Sequence, residues 1–376
     1  MKGTFLLNHS PGSVRWGTYG YGHESRPAPA RRGAPPKEPS TMIRHPSGSA
    51  AGELASFDPF SGPSLAEEQE LADLSALAAE LRAGTGLPAL SLAVVVDGEL
   101  AGHGADGLRR VGSTEEVTAD DRFHIGSCTK SMTATLAAIC VEDGLLTWDT
   151  TVGEVFPELG ASDGIELDLD LTTATLEELL TNTAGLPTAV EPTLWAELWA
   201  EADEPTAMRR RLLEGSLARP LERAPGAAFQ YSNTGFAIAG HMLEERAGVP
   251  WEQLMRTRLF DPLAMTTAGF RAPAAGAGVV DQPYGHVLQG DALAPVEPEP
   301  AGDNPRAIAP AGAVHLSALD LARYVRLHLG ADDAGLLTDA SRERLHAAPG
   351  GAGTDFYAKG WFLAPRGWAD GVALFH

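Results

Sequence analysis

Ser127 and Lys130, in the run Ser127-Cys-Thr-Lys130, are the residues of this chain whose types and spacing carry the clearest chemistry. Three positions apart at the start of a helix, they project from one face. A serine hydroxyl attacks poorly until a base takes its proton. A lysine can be that base when burial and neighbouring cations lower its pKa. Gly126 lets other backbone approach closely, and a helix N-terminus favours developing negative charge. The plainer reading is an ordinary surface Ser and Lys. Two features weigh against it. The flanks Phe123, Ile125, Met132 and Leu136 are apolar. Lysine is also scarce: only Lys2, Lys37, Lys130 and Lys359 occur among 28 basic residues, so a lysine inside the folded part is not filler.

A second constellation, Tyr231-Ser-Asn233, follows Pro225-Gly226 and precedes the helical run at Phe236. A phenol can relay a proton between nucleophile and leaving group. The Asn amide can anchor both a lysine and a substrate carbonyl. Taken alone, a structural loop with a buried Tyr reads equally well.

The elements that must position these residues follow from the patterning. Residues 1–62 are rich in Pro, Gly, Ser and Arg without apolar period, which predicts a disordered tail. A capping box at Ser64-x-x-Glu67 opens an amphipathic helix expected to run to about Arg82. The apolar run Ala89–Val96, closed by Asp97-Gly98 and followed by Glu99, is a hairpin signal. Helix is expected from Gly126 to about Glu142, over Leu176–Leu180, Trp195–Leu213 and Ala237–Ala247, and from Ser317 to about Leu329. Residues 274–305 read as a long loop, and Tyr357–Leu363 and Gly371–His376 as two strands. Strands at both ends around a helical middle suggest a sheet domain interrupted by a helical insertion, with a cleft between them.

Composition narrows the partners. Hydrophobic residues are 44% and charged residues 21%, enough for a sizeable core in 376 residues. The formal net charge of −22 argues against nucleic acid and against an anionic membrane surface, both of which draw on clustered cations. The longest apolar stretch falls short of the roughly 18 residues a spanning helix needs. Cys128 and Cys140, twelve apart, would be separated by about 18 Å on one helix, so two buried thiols are expected rather than a disulfide. With no signal-peptide pattern at the start, a cytoplasmic location is the expectation.

Taken together, Ser127-x-x-Lys130 and Tyr231-x-Asn233 resemble the β-lactamase-related serine hydrolases: class C β-lactamases, D-alanyl-D-alanine peptidases and related carboxylesterases. Phe123-His-Ile-Gly-Ser-Cys-Thr-Lys-Ser131, Leu179-Leu-Thr-Asn-Thr-Ala-Gly-Leu-Pro187, Tyr231-Ser-Asn-Thr-Gly235 and Phe260-Asp-Pro-Leu-Ala-Met265 are similar to the family's stretches, in its order, over about residues 87–376. The resemblance implies an α/β (α+β) fold, an antiparallel sheet flanked by helices with a mainly helical second subdomain. Residues 63–112 and 311–376 would form the α/β subdomain and 113–310 the helical one. By the same resemblance, Ser127 is the nucleophile of an acyl-enzyme and Lys130 and Tyr231 share general base and acid work. Asn233 holds the substrate, and the Ser127 N–H supplies half of an oxyanion hole. Asn182 stands where the family often carries His, a structural position.

The resemblance reaches its end at Val372-Ala-Leu-Phe-His376, which looks like the approach to the family's third motif, His-x-Gly, and makes His376 a substrate-binding candidate. The family's final strands and terminal helix are expected to be missing, with one oxyanion donor lost. No metal or cofactor is implied, and the expected partner is a small ester, amide or β-lactam. The alternative is a non-catalytic relative, a pseudoenzyme or ligand-binding sensor. There is no Gly-x-Ser-x-Gly, no phosphate-binding loop and no His or Cys spacing for a metal, so rival chemistries have no carrier.

Overall fold

The computed structural model describes residues 71–161, 170–200, 204–298, 302–350, 355–367, 369 and 371–376. The expected tail over residues 1–62 and the Ser64–Glu67 capping box lie outside the described residues. Strand β1 (Ala72–Asp73) leads into helix α1 (Ser75–Arg82), where continuous helix was expected. The reason is local: β1 pairs in parallel with the later hairpin strand, and the Asp73 carboxylate accepts the Ser75 N–H at 2.9 Å, starting the helix there. The hairpin β2 (Ala89–Val96) and β3 (Glu99–Gly107) forms as expected. Asp97 and Gly98 turn it with φ of 50° and 83°, both in the left-handed region that a primed two-residue turn demands.

After the short strand β4 (Phe123–His124), a 3₁₀ turn over Gly126–Cys128 opens helix α2 (Thr129–Glu142). Helix α2 is buried all round from Thr129 to Cys140, the mark of a central helix rather than a surface one. Short helices α3 (Val152–Val155), α4 (Asp170–Thr173) and α5 (Leu176–Leu180) follow, and α3 and α5 both start in capping boxes, Thr151 with Glu154 and Thr175 with Glu178. The expected Trp195–Leu213 helix is two helices, α6 (Pro192–Ala200) and α7 (Pro205–Leu217), because Pro205 cannot continue a helix but suits the first position of a new one. Helix α8 (Asn233–Ala247), the second central helix, is buried from Thr234 to Glu244 and ends at Gly248, whose φ is 70°. Helix α9 (Trp251–Met255) and strand β5 (Gly269–Phe270) follow.

The expected loop over 274–305 contains a hairpin, β6 (Gly285–Gln289) with β7 (Ala292–Val296), turned at Gly290. β6 is largely exposed and β7 holds no fully buried residue, so neither shows the alternation of buried and exposed positions that marks a strand with one face in the core. Helix α10 (Ala309–Gly312), strand β8 (Val314–Leu316) and helix α11 (Ala318–His328) come next, the last capped by the Ser317 side chain. Helix α12 (Asp339–His346) precedes the terminal antiparallel pair β9 (Phe362–Arg366) and β10 (Gly371–Phe375). The architecture is mixed α/β, as expected, and among the described residues its strands fall into four small sheets: β1-β3-β2, β4-β8-β5, β6-β7 and β10-β9. Cys128 and Cys140 are both buried and neither forms a disulfide. No helix among the described residues is long and apolar enough to cross a membrane.

Candidate active site

Helices α2 and α8 bring their N-terminal ends together. Ser127 sits in the turn just before α2, Lys130 is the second residue of α2, and Asn233 is the first residue of α8. Lys130 Nζ lies 3.1 Å from Ser127 Oγ, 2.7 Å from Asn233 Oδ1 and 2.7 Å from the Ala311 carbonyl of α10. Two helix N-termini facing one point also favour a negative charge there over a cation.

Lys130 is fully buried, and its ammonium pays a desolvation cost that lowers its pKa to about 7. Aromatic faces close round it, with Tyr231 and Phe236 ring centroids 4.8 and 5.5 Å from Nζ. The neutral amine has two N–H groups and one lone pair. The Ala311 carbonyl can only accept a hydrogen bond, and Asn233 Oδ1 likewise, so these two partners use both N–H groups. The lone pair is left facing the Ser127 hydroxyl.

Tyr231 hydrogen-bonds to the Ser127 side chain, and burial pushes its phenol up to about 12 despite that bond. It is therefore a neutral hydroxyl at any ordinary pH. Its loop is clamped by the turn after α5. Asn182, at φ 58°, accepts the Ser232 N–H on Oδ1 at 3.0 Å and the Gln230 N–H on its main-chain oxygen at 2.7 Å. Asn tolerates this left-handed conformation better than most side chains.

His376 follows β10 at the margin of the cluster. Its carbonyl lies 3.8 Å from Cys128 Sγ, and its ring Nδ1 is 2.6 Å from the Gly360 carbonyl, which fixes the proton on Nδ1. Burial, then the nearby Lys130, depress its pKa to about 4, so the ring is neutral with an unprotonated Nε2. That Nε2 is buried without a protein partner.

All five residues singled out in the sequence thus come together: Ser127, Lys130, Tyr231 and Asn233 in direct contact, and His376 beside them. The Ala311 carbonyl escaped the sequence reading because a backbone acceptor has no residue-type signature. Lys359 had a signal, the rarity of lysine, but no partner legible in the sequence.

The family model described as Beta-lactamase matches residues 74–376, and so spans the whole constellation. The chain belongs to the Beta-lactamase family. As a member it is an enzyme of the serine-hydrolase type. It is similar to penicillin-binding protein 4 of Amycolatopsis lactamdurans, 31% identical over 299 residues that are 78% of this chain and 73% of that protein. It is also similar to a lovastatin esterase of Penicillium rubens, 32% identical over 169 residues, 42% of each chain. Among solved structures, the octameric penicillin-binding protein homologue from Pyrococcus abyssi shares the fold, with a TM-score of 0.60 at 24% identity over 77% of this chain and 64% of that one. The chain thus spans under two thirds of the length of two of these three.

Proposed function

We propose that this chain hydrolyses or transfers the acyl group of a small ester, amide or β-lactam through a covalent intermediate on Ser127. The observation that carries this reading is the fully buried Lys130, whose two obligate acceptors direct its lone pair at the Ser127 hydroxyl. Lys130 takes the Ser127 proton as Oγ attacks the carbonyl carbon. The Ser127 N–H, at the head of the turn into α2, faces the developing oxyanion, and the convergent helix N-termini add to its stabilisation. Tyr231, a neutral phenol beside Oγ, donates its proton to the departing group, and the Lys130 ammonium restores it. The leaving group departs, water enters, and Lys130 again acts as base to release the acid. Asn233 holds Lys130 and presents its amide N–H groups to the substrate. His376 offers only an acceptor, Nε2, to a substrate N–H or O–H.

The names of the relatives, a penicillin-binding protein and an esterase, support this substrate range. The assembled nucleophile and base weigh against the non-catalytic alternative. The test is turnover of a para-nitrophenyl ester and of a chromogenic cephalosporin, with the acyl adduct located by mass spectrometry. Multiple turnovers that vanish in Ser127→Ala, with an adduct on Ser127, are expected. An adduct that forms once and is never released would make the chain a binder instead.

A further inference from the structure

Lys359 is the other lysine among the described residues, and the chemistry above does not use it. It is 1% exposed, and its Nζ lies 2.7 Å from Glu177 Oε1 of α5 and 3.1 Å from the Arg344 carbonyl of α12. A buried ion pair seldom stabilises a fold more than apolar packing would, so its presence calls for a positional reason. The next residue supplies one. Gly360 has φ 79° and lies so close to α2 that a Cβ on it would sit 2.5 Å from the Ser131 nitrogen and 2.7 Å from the Lys130 carbonyl carbon. Its own carbonyl accepts the Nδ1 proton of His376. On either side, Tyr357 and Trp361 are fully buried, Trp361 against Tyr324 and His328 of α11.

Three parts of the site therefore meet on this five-residue segment. Gly360 touches α2 at the base, its carbonyl holds His376, and Lys359 ties it to α5. The turn after α5 in turn holds the Tyr231 loop through Asn182.

Resting on the reading of Lys130 as base, we propose that Tyr357–Trp361 is a positioning strap: the Lys359–Glu177 pair presses Gly360 onto the first turn of α2, sealing Lys130 from water and registering it against Tyr231 and His376. Lys359 does not touch substrate and acts through Gly360.

The charges around Lys130 make the consequence readable. The titratable groups facing it are Cys128 on its own turn, Tyr231 from the loop before α8 and His376 after β10. None is a carboxylate, so exclusion of water dominates its pKa. Removing Lys359 should let water reach Lys130 and raise that pKa. The fold should survive, because Glu177 keeps its ion pair with Arg344 at 2.6 Å.

The chain contains only four lysines, so the Lys130 side-chain signal can be assigned and titrated by carbon-13 NMR without any turnover. The expected midpoint is about 7 in the parent chain. In Lys359→Met and in Gly360→Ala it should rise by about one unit or more, with the melting temperature of Lys359→Met little changed. In Arg344→Met, which strips Glu177 of its other cation without touching the strap, it should stay in place. The second readout is phosphonylation of Ser127 by an alkyl fluorophosphonate. There the Oγ–P bond forms, fluoride leaves and the hydroxyl proton goes to Lys130. Lys359→Met should slow it about tenfold or more, and Arg344→Met should not. An unmoved Lys130 midpoint in Lys359→Met overturns the strap, as does an equal shift in Arg344→Met. A midpoint that shifts as expected in a chain whose Ser127 never reacts would keep the strap and sink the hydrolase reading.

Discussion

At the scale of single residues, the proposed chemistry depends on one lysine kept neutral. A buried amine with a pKa of about 7, against an unfolded value of 10.5, binds fewer protons in the folded chain than in the unfolded one throughout that interval. Two consequences follow with definite sign. Acylation should rise with pH through about 7 as Lys130 loses its proton, and should hold its plateau well into alkali because Tyr231 stays protonated to about 12. A pH–rate profile of a single-turnover burst checks both. Stability should also rise with pH between about 7 and 10 from this group alone. The difference in unfolding free energy between the parent chain and Lys130→Met, followed by urea titration at several pH values, should show that slope, and a flat difference would mean that Lys130 is not desolvated. For Tyr231→Phe, loss of the proton donor should cost about 10²–10⁴-fold on an alkyl ester and much less on a nitrophenyl ester, whose leaving group needs no proton. Equal losses on both would assign Tyr231 to binding instead.

At the scale of elements, two central helices and one turn decide the geometry. The first residues of α2 and α8 meet because both helices are buried along nearly their whole length and cannot turn away from the core. The turn after α5 then fixes the loop that carries Tyr231. Asn182→Ala removes the Oδ1 acceptor of the buried Ser232 N–H and places Ala in a left-handed conformation. It should destabilise the chain by about 1–3 kcal/mol and lower kcat more than it changes KM, because Tyr231 shifts relative to Ser127. Chemical denaturation and steady-state kinetics on one preparation separate the two effects. The resemblance had already set Asn182 aside as structural. Its place in the chain was legible, but its partners, two backbone N–H groups some fifty residues later, were not.

At the scale of the whole molecule, a buried charge cluster holds the helical part. Arg209 of α7 bonds Glu244 of α8 at 2.6 Å and Glu252 of α9 at 2.9 Å, and His241 meets Glu244 at 2.7 Å. Burial alone would raise the Glu244 pKa, but the hydrogen bonds from His241 and Arg209 override it and hold the carboxyl at about 2. With its folded value depressed from 4.5, this group stabilises the fold above that pH, and the contribution fades as pH falls towards 2. Arg209→Met leaves Glu244 buried without its cation and should cost about 3–5 kcal/mol at neutral pH. It should also flatten the acid limb of the unfolding profile between pH 4.5 and 2. An acid limb as steep as the parent's would show that other carboxylates dominate acid unfolding.

The clustering of the candidate residues and much of the order of elements could be read from the sequence because both are local. Ser127-x-x-Lys130 lies within one helical turn, Tyr231-x-Asn233 within three residues, and the Asp97-Gly98 hairpin, the Leu176–Leu180 helix and the helix after Ser317 are signalled by residues next to one another. Where local pattern was faint it misled: the β6–β7 hairpin read as loop, and the break before Pro205 was smoothed over. The tertiary structure alone decided which groups surround Ser127 and Lys130. The Ala311 carbonyl that accepts from Lys130, the close approach of Gly360 to α2 and the Glu177 partner of Lys359 come from 181, about 230 and about 180 residues away in the chain. Backbone acceptors, exclusion of water and long-range ion pairs depend on how segments pack, and no short window of residue types encodes that.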